Sequence, residues 1–353
     1  MDATATASPT ITIVKITDAI FTGEPSDDYH ASSAISFHRL KDFDPTMGGS
    51  PAQFYMRHMQ GMDRPDRDAY RIGRATHALV LEGQEAFDER YVVAPEGMKI
   101  SQRPVKVGET PTVNLTTRQR EIVEAVAAAG CTLDSIAEAA RLGKTRADVI
   151  ENLAASGHLS IGETWESQQT REIIKAQEHE TINHMAASVR GHPEISEWLR
   201  DGWPEVTVRL IDPETGIPVQ IRPDHLGSQL NRFIDLKTVD AFVPSTGWNG
   251  RAADPLAARW QHFRRQAESL GYDRQVAWYT WVLSLATSIP MEELSHRVVA
   301  VEKSPPWGCQ AFHVTPEKLA AAHTKNMTAL GQLKVCIDSN DYPDLTSVDS
   351  LPL

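Results

Sequence analysis

The chain has 353 residues, of which 23% are charged, and its formal net charge is -12 at pH 7. This length provides a core for one large domain or two smaller ones, and the acidic balance argues against nucleic-acid binding through bulk charge while allowing a local basic groove. Cys131, Cys309 and Cys336 lie far apart, which argues against a disulfide framework, a zinc finger and a four-cysteine iron–sulfur cluster.

The sequence shows no sign of a membrane or secretory segment. No apolar run reaches the length that spans a bilayer. Residues 1–18 lack the basic stretch followed by an apolar core that marks a secretory signal. We therefore expect a cytoplasmic protein without a membrane partner.

The first 111 residues change in character along the chain. Residues 1–30 are rich in Thr, Ala, Pro and Asp and are predicted to form a flexible arm. Short helices around a Pro/Gly loop follow, and residues 69–83 carry apolar residues at helical spacing that ends at Gly83. Residues 94–115 show no clear period, so we interpret them as a linker.

Residues 112–162 are predicted to form an inserted three-helix module that resembles a helix-turn-helix or winged helix. Such a module would bind duplex DNA through its third helix, with Lys144 and Arg146 beside it. Residues 116–160 carry five Lys/Arg against six Asp/Glu, and this near-neutral balance leaves a protein partner as the alternative. The three helices are predicted over residues 116–129, 132–141 and 145–156.

The remainder of the chain is predicted to contain a sheet and long helices. A helix over residues 165–188 is followed by three stretches in which the hydrophobic period is two, joined by short turns. Short connections predict an antiparallel meander. The predicted strands cover residues 205–211, 217–227 and 233–239, and they are followed by a helix over 255–287, strands beginning at His296 and Gly308, and a helix beginning near Pro316.

Two carboxylates and a lysine stand close together in this predicted meander. Alternation along a strand sends Asp235 and Lys237 to the same face, and Asp224 lies near the end of the neighbouring strand. Oxygen ligands converging on one point suit Mg²⁺ or Mn²⁺, and a lysine beside them suits phosphodiester hydrolysis. Taken alone, an Asp-x-Lys triplet is more often a surface ion pair, because short motifs match by chance.

The wider context of these residues resembles a known family. "PD" at 223–224 and "DLK" at 235–237 resemble the PD-(D/E)-x-K nuclease motif, and the chain around them is similar to the exonuclease VIII (RecE-type) phage recombination nucleases. Four further parts of the sequence carry this likeness from about Ala34 onward. They are "ISFHRLKDF" with "SPAQFY", then "GRATHALVLEG", "RQVAWYTWVL" and "VEKSPPW".

The resemblance implies a fold and a domain layout. The fold would be α/β (α+β) of the restriction-endonuclease-like kind, with a mixed central sheet flanked by helices. Residues 31–111 would form the N-terminal part of the nuclease domain and residues 163–353 its catalytic core. The helical module at 112–162 falls outside the family pattern.

The resemblance also implies roles for individual residues. Asp224 and Asp235 would bind the metal through carboxylates, Leu236 would bind it through its carbonyl, and Lys237 would be the catalytic lysine. His77 would be an additional metal ligand, although a lone histidine on an apolar helix is more often a core residue. Glu205 is either a further catalytic carboxylate or a charge at the edge of a strand.

Several residues are candidates for contacts with DNA. Gln275 and Tyr279 share one helix face and would support the lysine, contact the DNA backbone or pack in the core. By resemblance, Ser36 and Arg39 would recognise a terminal phosphate, although His38 replaces a small hydroxyl residue of that motif. Two arginine-rich stretches would neutralise phosphates or form solvated helix faces. They contain Arg64, Arg67, Arg71 and Arg74 in one stretch and Arg251, Arg259, Arg264, Arg265 and Arg274 in the other.

The activity implied by the resemblance is a Mg²⁺- or Mn²⁺-dependent exonuclease. It would digest one strand of linear duplex DNA from 5′ to 3′ and leave a 3′ tail for a single-strand annealing partner. Ring-forming relatives make a homo-oligomer an expectation. The alternatives are a repair or CRISPR-associated nuclease or endonuclease of the same fold, and a non-catalytic DNA-binding protein that uses the inserted module.

Overall fold

The computed structural model describes residues 14–62, 68–96, 105–129, 147–240 and 255–344. The chain divides into two compact units. The first contains residues 1–84 and 181–353, and the second contains residues 85–180. The second unit is therefore wider than the insertion predicted at 112–162.

The helices and strands are numbered in chain order, without the short 3₁₀ and π-helical turns. The helices are α1 (Ser26–Ala31), α2 (Phe37–Phe43), α3 (Pro51–Phe54), α4 (Asp68–His77), α5 (Gln84–Arg90), α6 (Thr117–Ala129), α7 (Ala147–Ala155), α8 (Ala176–Gly191), α9 (Pro193–Trp198), α10 (Pro255–Leu270), α11 (Tyr272–Thr287) and α12 (Pro316–Ser339). The strands are β1 (Val14–Lys15), β2 (Ile20–Thr22), β3 (Tyr91–Val93), β4 (Val105–Val107), β5 (Leu159–Ile161), β6 (Glu172–Ile174), β7 (Trp203–Pro204), β8 (Thr207–Ile211), β9 (Pro218–Ile221), β10 (His225–Leu226), β11 (Arg232–Val239), β12 (Ser295–Glu302) and β13 (Cys309–Phe312).

The first unit is built on two sheets. One has five strands in the order β13-β12-β11-β10-β7, and the other has four in the order β1-β2-β8-β9. In the larger sheet β11 and β12 run parallel and the other pairs are antiparallel, so the sheet is mixed. The mixed α/β architecture agrees with the restriction-endonuclease-like prediction.

Helix α11 lies at the centre of the first unit. Every residue from Arg274 to Leu283 is buried, as expected for a helix that is covered on all sides. Trp278, fully buried, donates its indole N–H to the carbonyl of Gln220 on β9 at 3.2 Å. The helix therefore fastens the smaller sheet to the core.

The predicted three-strand meander is wrong in one respect, because its first two strands bend between two sheets. Pro204 pairs with His225 in one sheet and Val208 pairs with Ile221 in the other. Three residues separate these pairs on each strand, so one hairpin register continues through the bend. Ladder pairing is interrupted there because Pro223 has no N–H to donate and Glu205 adopts a left-handed conformation, φ 49°.

The single helix predicted over residues 255–287 is also wrong, since the structure contains two helices. Gly271 separates α10 from α11 in a left-handed conformation, φ 75°. Lys41 donates to the carbonyl of Leu270 at the end of α10, at 3.0 Å. The apolar pattern runs through the break, so only the glycine marks it.

We expect Gly271→Ala to lower the free energy of unfolding by about 1–2 kcal/mol, since a residue with a Cβ is strained in the left-handed region. Gly331→Ala is the matched control, because Gly331 lies inside α12 and an added Cβ there meets nothing within 4 Å. That control should be neutral or stabilising by up to about 1 kcal/mol. Urea unfolding of both variants measures the difference, and equal stabilities would contradict the strain argument.

The prediction of a flexible arm over residues 1–30 is wrong for residues 14–30. They form β1, β2 and α1, and Ile20, fully buried, pairs with Val208 of β8. Glu24 is buried next to β8 and accepts hydrogen bonds from Thr207 and Arg209. This segment therefore belongs to the core.

The second unit has its own small core, which includes Val105, Ile122, Val126, Ile150 and Leu153. Strands β4 and β5 are antiparallel, and β3 and β6 are parallel. Helices α6 and α7 agree with the first and third predicted helices, and β4 falls in the predicted linker. The predicted helix at 132–141, the turn after it, and Lys144 and Arg146 lie outside the described residues.

The helix predicted over residues 165–188 begins later than expected. Residues Glu172–Ile174 form β6, and α8 starts at Ala176. The backbone N–H of Lys175 donates to the carboxylate of Glu178 at 2.9 Å, a capping contact that favours a helix start here. Within the described ranges, no helix combines the length and apolar character needed to cross a membrane.

Candidate metal centre

Three acidic residues lie in one row across β7, β10 and β11. The register continues through the hairpin bend, so Glu205 lies opposite Asp224, and the N–H of Glu205 donates to the carbonyl of Asp224 at 3.0 Å. His225 pairs with Ile234, which places Asp224 opposite Asp235. Opposed residues in antiparallel strands have Cβ atoms about 4.5–5.5 Å apart. The row therefore brings the three carboxyl groups together.

His77 reaches this row from α4. Its Nδ1 lies 3.5 Å from Oδ1 of Asp224. One turn earlier, Gly73 faces β11, where an added Cβ would stand 3.4 Å from Oγ1 of Thr238, so the helix lies next to the strand at this point. A π-helical turn begins at Ala78, directly after the histidine.

His77, Glu205 and Asp224 each offer a ligand atom, and these atoms lie within 4.8 Å of one another. The other oxygen of Asp224 accepts the backbone N–H of Leu236. In an extended strand the N–H and C=O of one residue point the same way, so the carbonyl of Leu236 faces the same side. Carboxylates, a carbonyl and one imidazole are a donor set that fits Mn²⁺ well and Mg²⁺ acceptably.

Asp235 lies outside this three-residue group and contacts other side chains, so its predicted role as a metal ligand stays a prediction. Its Oδ2 lies 2.7 Å from Nζ of Lys237, and its Oδ1 accepts a hydrogen bond from Gln275 at 3.0 Å. The Lys237 ammonium also lies 5.1 Å from the centre of the Tyr272 ring. Asp235 is 3% exposed and Lys237 20%, so the lysine opens to solvent while its partner does not.

The protonation of these groups reflects their crowding. Burial would lower the pKa of His77, but the carboxylates of Asp224 and Glu205 raise it to about 9. Burial, with Asp224 beside it, raises the pKa of Glu205 to about 7. Burial would raise the pKa of Asp224, but His77 and Lys237 hold it below its usual value. Such opposed shifts are expected where several acids share one site.

The comparison with known families agrees with this geometry. Residues 36–347 match a family described as "PDDEXK-like domain of unknown function (DUF3799)". The chain belongs to this family. The matched range contains His77, Glu205 and Asp224 as well as the "DLK" stretch.

No curated protein matches the PDDEXK-like chain. A crystal structure of a "Putative exonuclease" from Eubacterium rectale is similar at a TM-score of 0.48 and 14% sequence identity, covering 94% of this chain and 96% of that one. The specific likeness to exonuclease VIII stays a prediction.

Gln275 and Tyr279 of the PDDEXK-like domain lie behind the site. Both are buried. Gln275 donates to Asp235 and to the Tyr279 hydroxyl, which itself donates to the carbonyl of Arg222 at 3.3 Å. The arrangement does not support the predicted DNA contact, because neither side chain faces solvent, and it places Gln275 against Asp235 instead of against the lysine.

We expect Gln275→Leu to lower the free energy of unfolding by about 1–3 kcal/mol, because the buried Oδ1 of Asp235 would lose its donor. Gln332→Leu on the exposed face of α12 is the control and should stay within about 0.5 kcal/mol of the wild type. Urea unfolding in EDTA measures both variants. A stable Gln275→Leu variant would show that this hydrogen bond does not hold Asp235.

The predicted DNA-binding residues fall into three groups. Ser36 caps α2 by accepting the N–H of Arg39, whose guanidinium donates to the carbonyls of His30 and Ala34, so both have local structural roles and their phosphate contact stays a prediction. Arg74, Arg264 and Arg265 are exposed and also stay predictions. Outside the described residues lie Arg64, Arg67, Lys144, Arg146, Arg251 and the side chain of Arg259.

One arginine was assigned wrongly from the sequence. Arg274 is buried and donates to Asp44, to Thr46 and to the side-chain oxygen of Asn326. It joins α11 to α12 and to the loop after α2. Its place in an arginine-rich stretch suggested a DNA contact, but its buried partners give it a structural role.

Proposed function

We propose that this protein is a divalent-metal-dependent nuclease that hydrolyses phosphodiester bonds of DNA. The observation that carries the proposal is the convergence of His77, Glu205 and Asp224 from three separate elements, with Lys237 two residues beyond Asp235 on the same strand face. Membership of the PDDEXK-like family supports the same conclusion.

Each residue has a defined task in this proposal. His77, Glu205 and Asp224 would hold the ion, together with the carbonyl of Leu236. A bound Mg²⁺ or Mn²⁺ ion would acidify a water molecule and offset the charge of a phosphate. Lys237 can donate a proton or a hydrogen bond to a phosphate oxygen or to that water, because its Nζ is partly exposed and Asp235 fixes its position.

Lys237 is suited to act as a cation in this setting. Burial would lower its pKa, but the carboxylates of Asp235 and Asp224 raise it above the usual value. The amine therefore stays protonated at neutral pH. It would serve as an electrostatic and hydrogen-bonding group, and a role as a general base is not favoured.

The finer parts of the proposal rest on the sequence likeness to exonuclease VIII. The substrate would be the end of a linear duplex, digestion would run from 5′ to 3′, and the 3′ tail would serve recombination through a single-strand annealing partner. A ring-shaped homo-oligomer follows from the same likeness. The second compact unit would add a contact with duplex DNA or with a protein.

The test is a digestion series on labelled linear duplex and on closed circular duplex, each with Mg²⁺, Mn²⁺ or EDTA. We expect nucleotides or short products from linear DNA only, with either metal, and none in EDTA. Comparing substrates labelled at the 5′ and 3′ ends gives the polarity. Cleavage of circles would make the protein an endonuclease, and the absence of products from every substrate would refute a nuclease.

A further inference from the structure

Arg222 contacts the candidate metal centre but has no task in the chemistry described so far. It precedes Pro223 and Asp224, and its Nε lies 3.0 Å from Oε2 of Glu205. The Arg222 side chain is 12% exposed. A largely buried cation that touches one candidate metal ligand can affect how that ligand is presented.

The N-terminal segment holds the guanidinium of Arg222 in place. Its Nη2 donates to the carbonyl of Glu24 at 2.7 Å, and its Nη1 reaches the carbonyl of Pro25 at 3.5 Å. The guanidinium also lies 5.4 Å from the centre of the Tyr29 ring. The two carbonyls and the ring carry no formal charge. They fix the position of the Arg222 guanidinium, and its ion-pair partner is the carboxylate of Glu205.

The segment that holds Arg222 is itself anchored. The buried carboxylate of Glu24 accepts hydrogen bonds from Thr207 at 2.8 Å and from Arg209 at 3.0 Å. The carbonyl of Tyr29 accepts a bond from Gln220 at 3.1 Å. Strands β8 and β9 therefore hold residues 24–29 in place. These residues in turn hold Arg222 next to Glu205.

This chain of contacts limits what Glu205 can do. Because Oε2 of Glu205 lies 3.0 Å from the cationic Arg222 side chain, its other oxygen is the better placed of the two to meet a second cation, which favours one-oxygen coordination. Pairing with Arg222 also limits the rotation of the Glu205 carboxylate, which offers a ligand atom within 4.8 Å of those of Asp224 and His77. Second-layer contacts of this kind are known to orient metal ligands.

We propose that Arg222 is a positioning residue of the metal centre, which presents Glu205 as a one-oxygen ligand and is itself held by residues 24–29. This inference rests on the proposed function and deepens it. It predicts that replacing Arg222 lowers turnover without lowering the affinity for the metal. The positive charge opposes the approach of a cation, whereas the orientation of Glu205 assists catalysis.

The experiment compares Arg222→Gln and Arg222→Lys with the wild type. Calorimetric titration with Mn²⁺ gives the affinity, and cleavage of linear duplex at saturating Mn²⁺ gives the turnover. For Arg222→Gln we expect turnover to fall at least about tenfold, because a slightly misplaced group slows a reaction strongly, while Mn²⁺ affinity is unchanged or higher. Arg222→Lys keeps the positive charge but lacks the planar guanidinium with its several N–H donors. Its turnover should therefore lie between that of the wild type and that of Arg222→Gln.

Two further variants separate positioning from a purely structural role. Arg297→Gln is the control. Arg297 lies on β12 and its Nε is 2.6 Å from Oε1 of Glu194, so this variant loses a paired arginine elsewhere in the unit and should leave turnover unchanged. In a double variant with Glu205→Gln, adding Arg222→Gln should change turnover less than about twofold, because residues that act through one another are not additive.

The outcomes that overturn the proposal are distinct. Wild-type turnover in Arg222→Gln at saturating Mn²⁺ would overturn it, and so would a fall in Mn²⁺ affinity that parallels the fall in turnover. If the glutamine variant does not fold, full turnover in Arg222→Lys would overturn it in the same way. A wild-type protein that neither binds Mn²⁺ nor cleaves DNA would overturn the proposed function together with this inference.

Discussion

Replacing Asp224 by asparagine should reduce DNA cleavage by on the order of 10³-fold or more and abolish the binding of divalent ions. Asp224 lies at the centre of the acidic row, between Glu205 and Asp235, and His77 contacts its Oδ1. Asparagine keeps the shape of the side chain but replaces one carboxylate oxygen by an NH₂ group, which cannot bind a cation. The measurements are single-turnover cleavage of linear duplex and calorimetric titration with Mn²⁺.

Asp201→Asn is the matched control for this variant. Asp201 is a carboxylate of the same unit that pairs with Arg232 and accepts the Ser228 hydroxyl. It should keep wild-type cleavage and Mn²⁺ affinity. Retention of more than about a tenth of the activity in Asp224→Asn would contradict its assignment as a central ligand.

Replacing Lys237 by methionine should lower cleavage by about 10²–10³-fold while Mn²⁺ binding persists. The ammonium lies 2.7 Å from Asp235 and is not part of the group His77, Glu205 and Asp224. Methionine preserves the length of the side chain and removes its charge. Cleavage is measured at saturating Mn²⁺, and Mn²⁺ affinity is measured by calorimetry. Together they show whether the variant loses cleavage while it keeps metal binding.

Lys318→Met is the control, since Lys318 forms an exposed ion pair with Glu268 at 2.5 Å. Exposed pairs contribute little, so this variant should behave as the wild type. If Lys237→Met lost Mn²⁺ binding together with activity, Lys237 would be a support for the ligands and not a group that acts on the substrate. Full activity would remove the lysine from the site.

The two variants together test the nuclease proposal against a binding protein of the same fold. A protein that binds metal without catalysis would lose Mn²⁺ affinity in Asp224→Asn. Its wild type would not cleave DNA, so no loss of cleavage could be measured in either variant. A nuclease loses cleavage in both variants and metal binding in only one. The comparison therefore distinguishes the two classes of protein with linear duplex as the one substrate.

Part of the site followed directly from the sequence. Alternation along one strand placed Asp235 and Lys237 on the same face, and the structure has them in contact. The spacing of "PD" and "DLK" placed Asp224 on the neighbouring strand. These inferences needed only the period of a strand and the presence of a short turn.

The rest of the site depends on features that a local pattern does not encode. Glu205 faces Asp224 because the hairpin keeps its register through a bend between two sheets, which no hydrophobic period predicts. Arg222 looked like an ordinary strand residue, and its partners Glu24 and Tyr29 are almost 200 residues away. The sequence therefore offered no signal for its contact with Glu205 beyond its position next to "PD".

Long-range pairing also explains the wider second unit. Strand β3 pairs with β6 in parallel across about 80 residues of chain, and parallel strands need a long connection between them. The sequence between them contains helices that suggested a smaller, self-contained insertion. The boundaries of the second unit at residues 85 and 180 depend on the pairing of β3 with β6, which brings the two ends of this segment together.

The unbroken register of the bent hairpin makes the distance from its turn to the acidic row a matter of counting residues. The turn at 212–216 closes on the carboxylate of Asp212, which accepts the backbone N–H groups of Glu214 and Thr215. An extra residue within either strand between this turn and the row would send the following side chains to the opposite face and replace Asp224 or Glu205 by a neighbour. Extra residues within the turn itself would lengthen a surface loop and leave the row intact. Insertions at the turn of this hairpin are therefore compatible with the metal centre, whereas insertions along its strands are not.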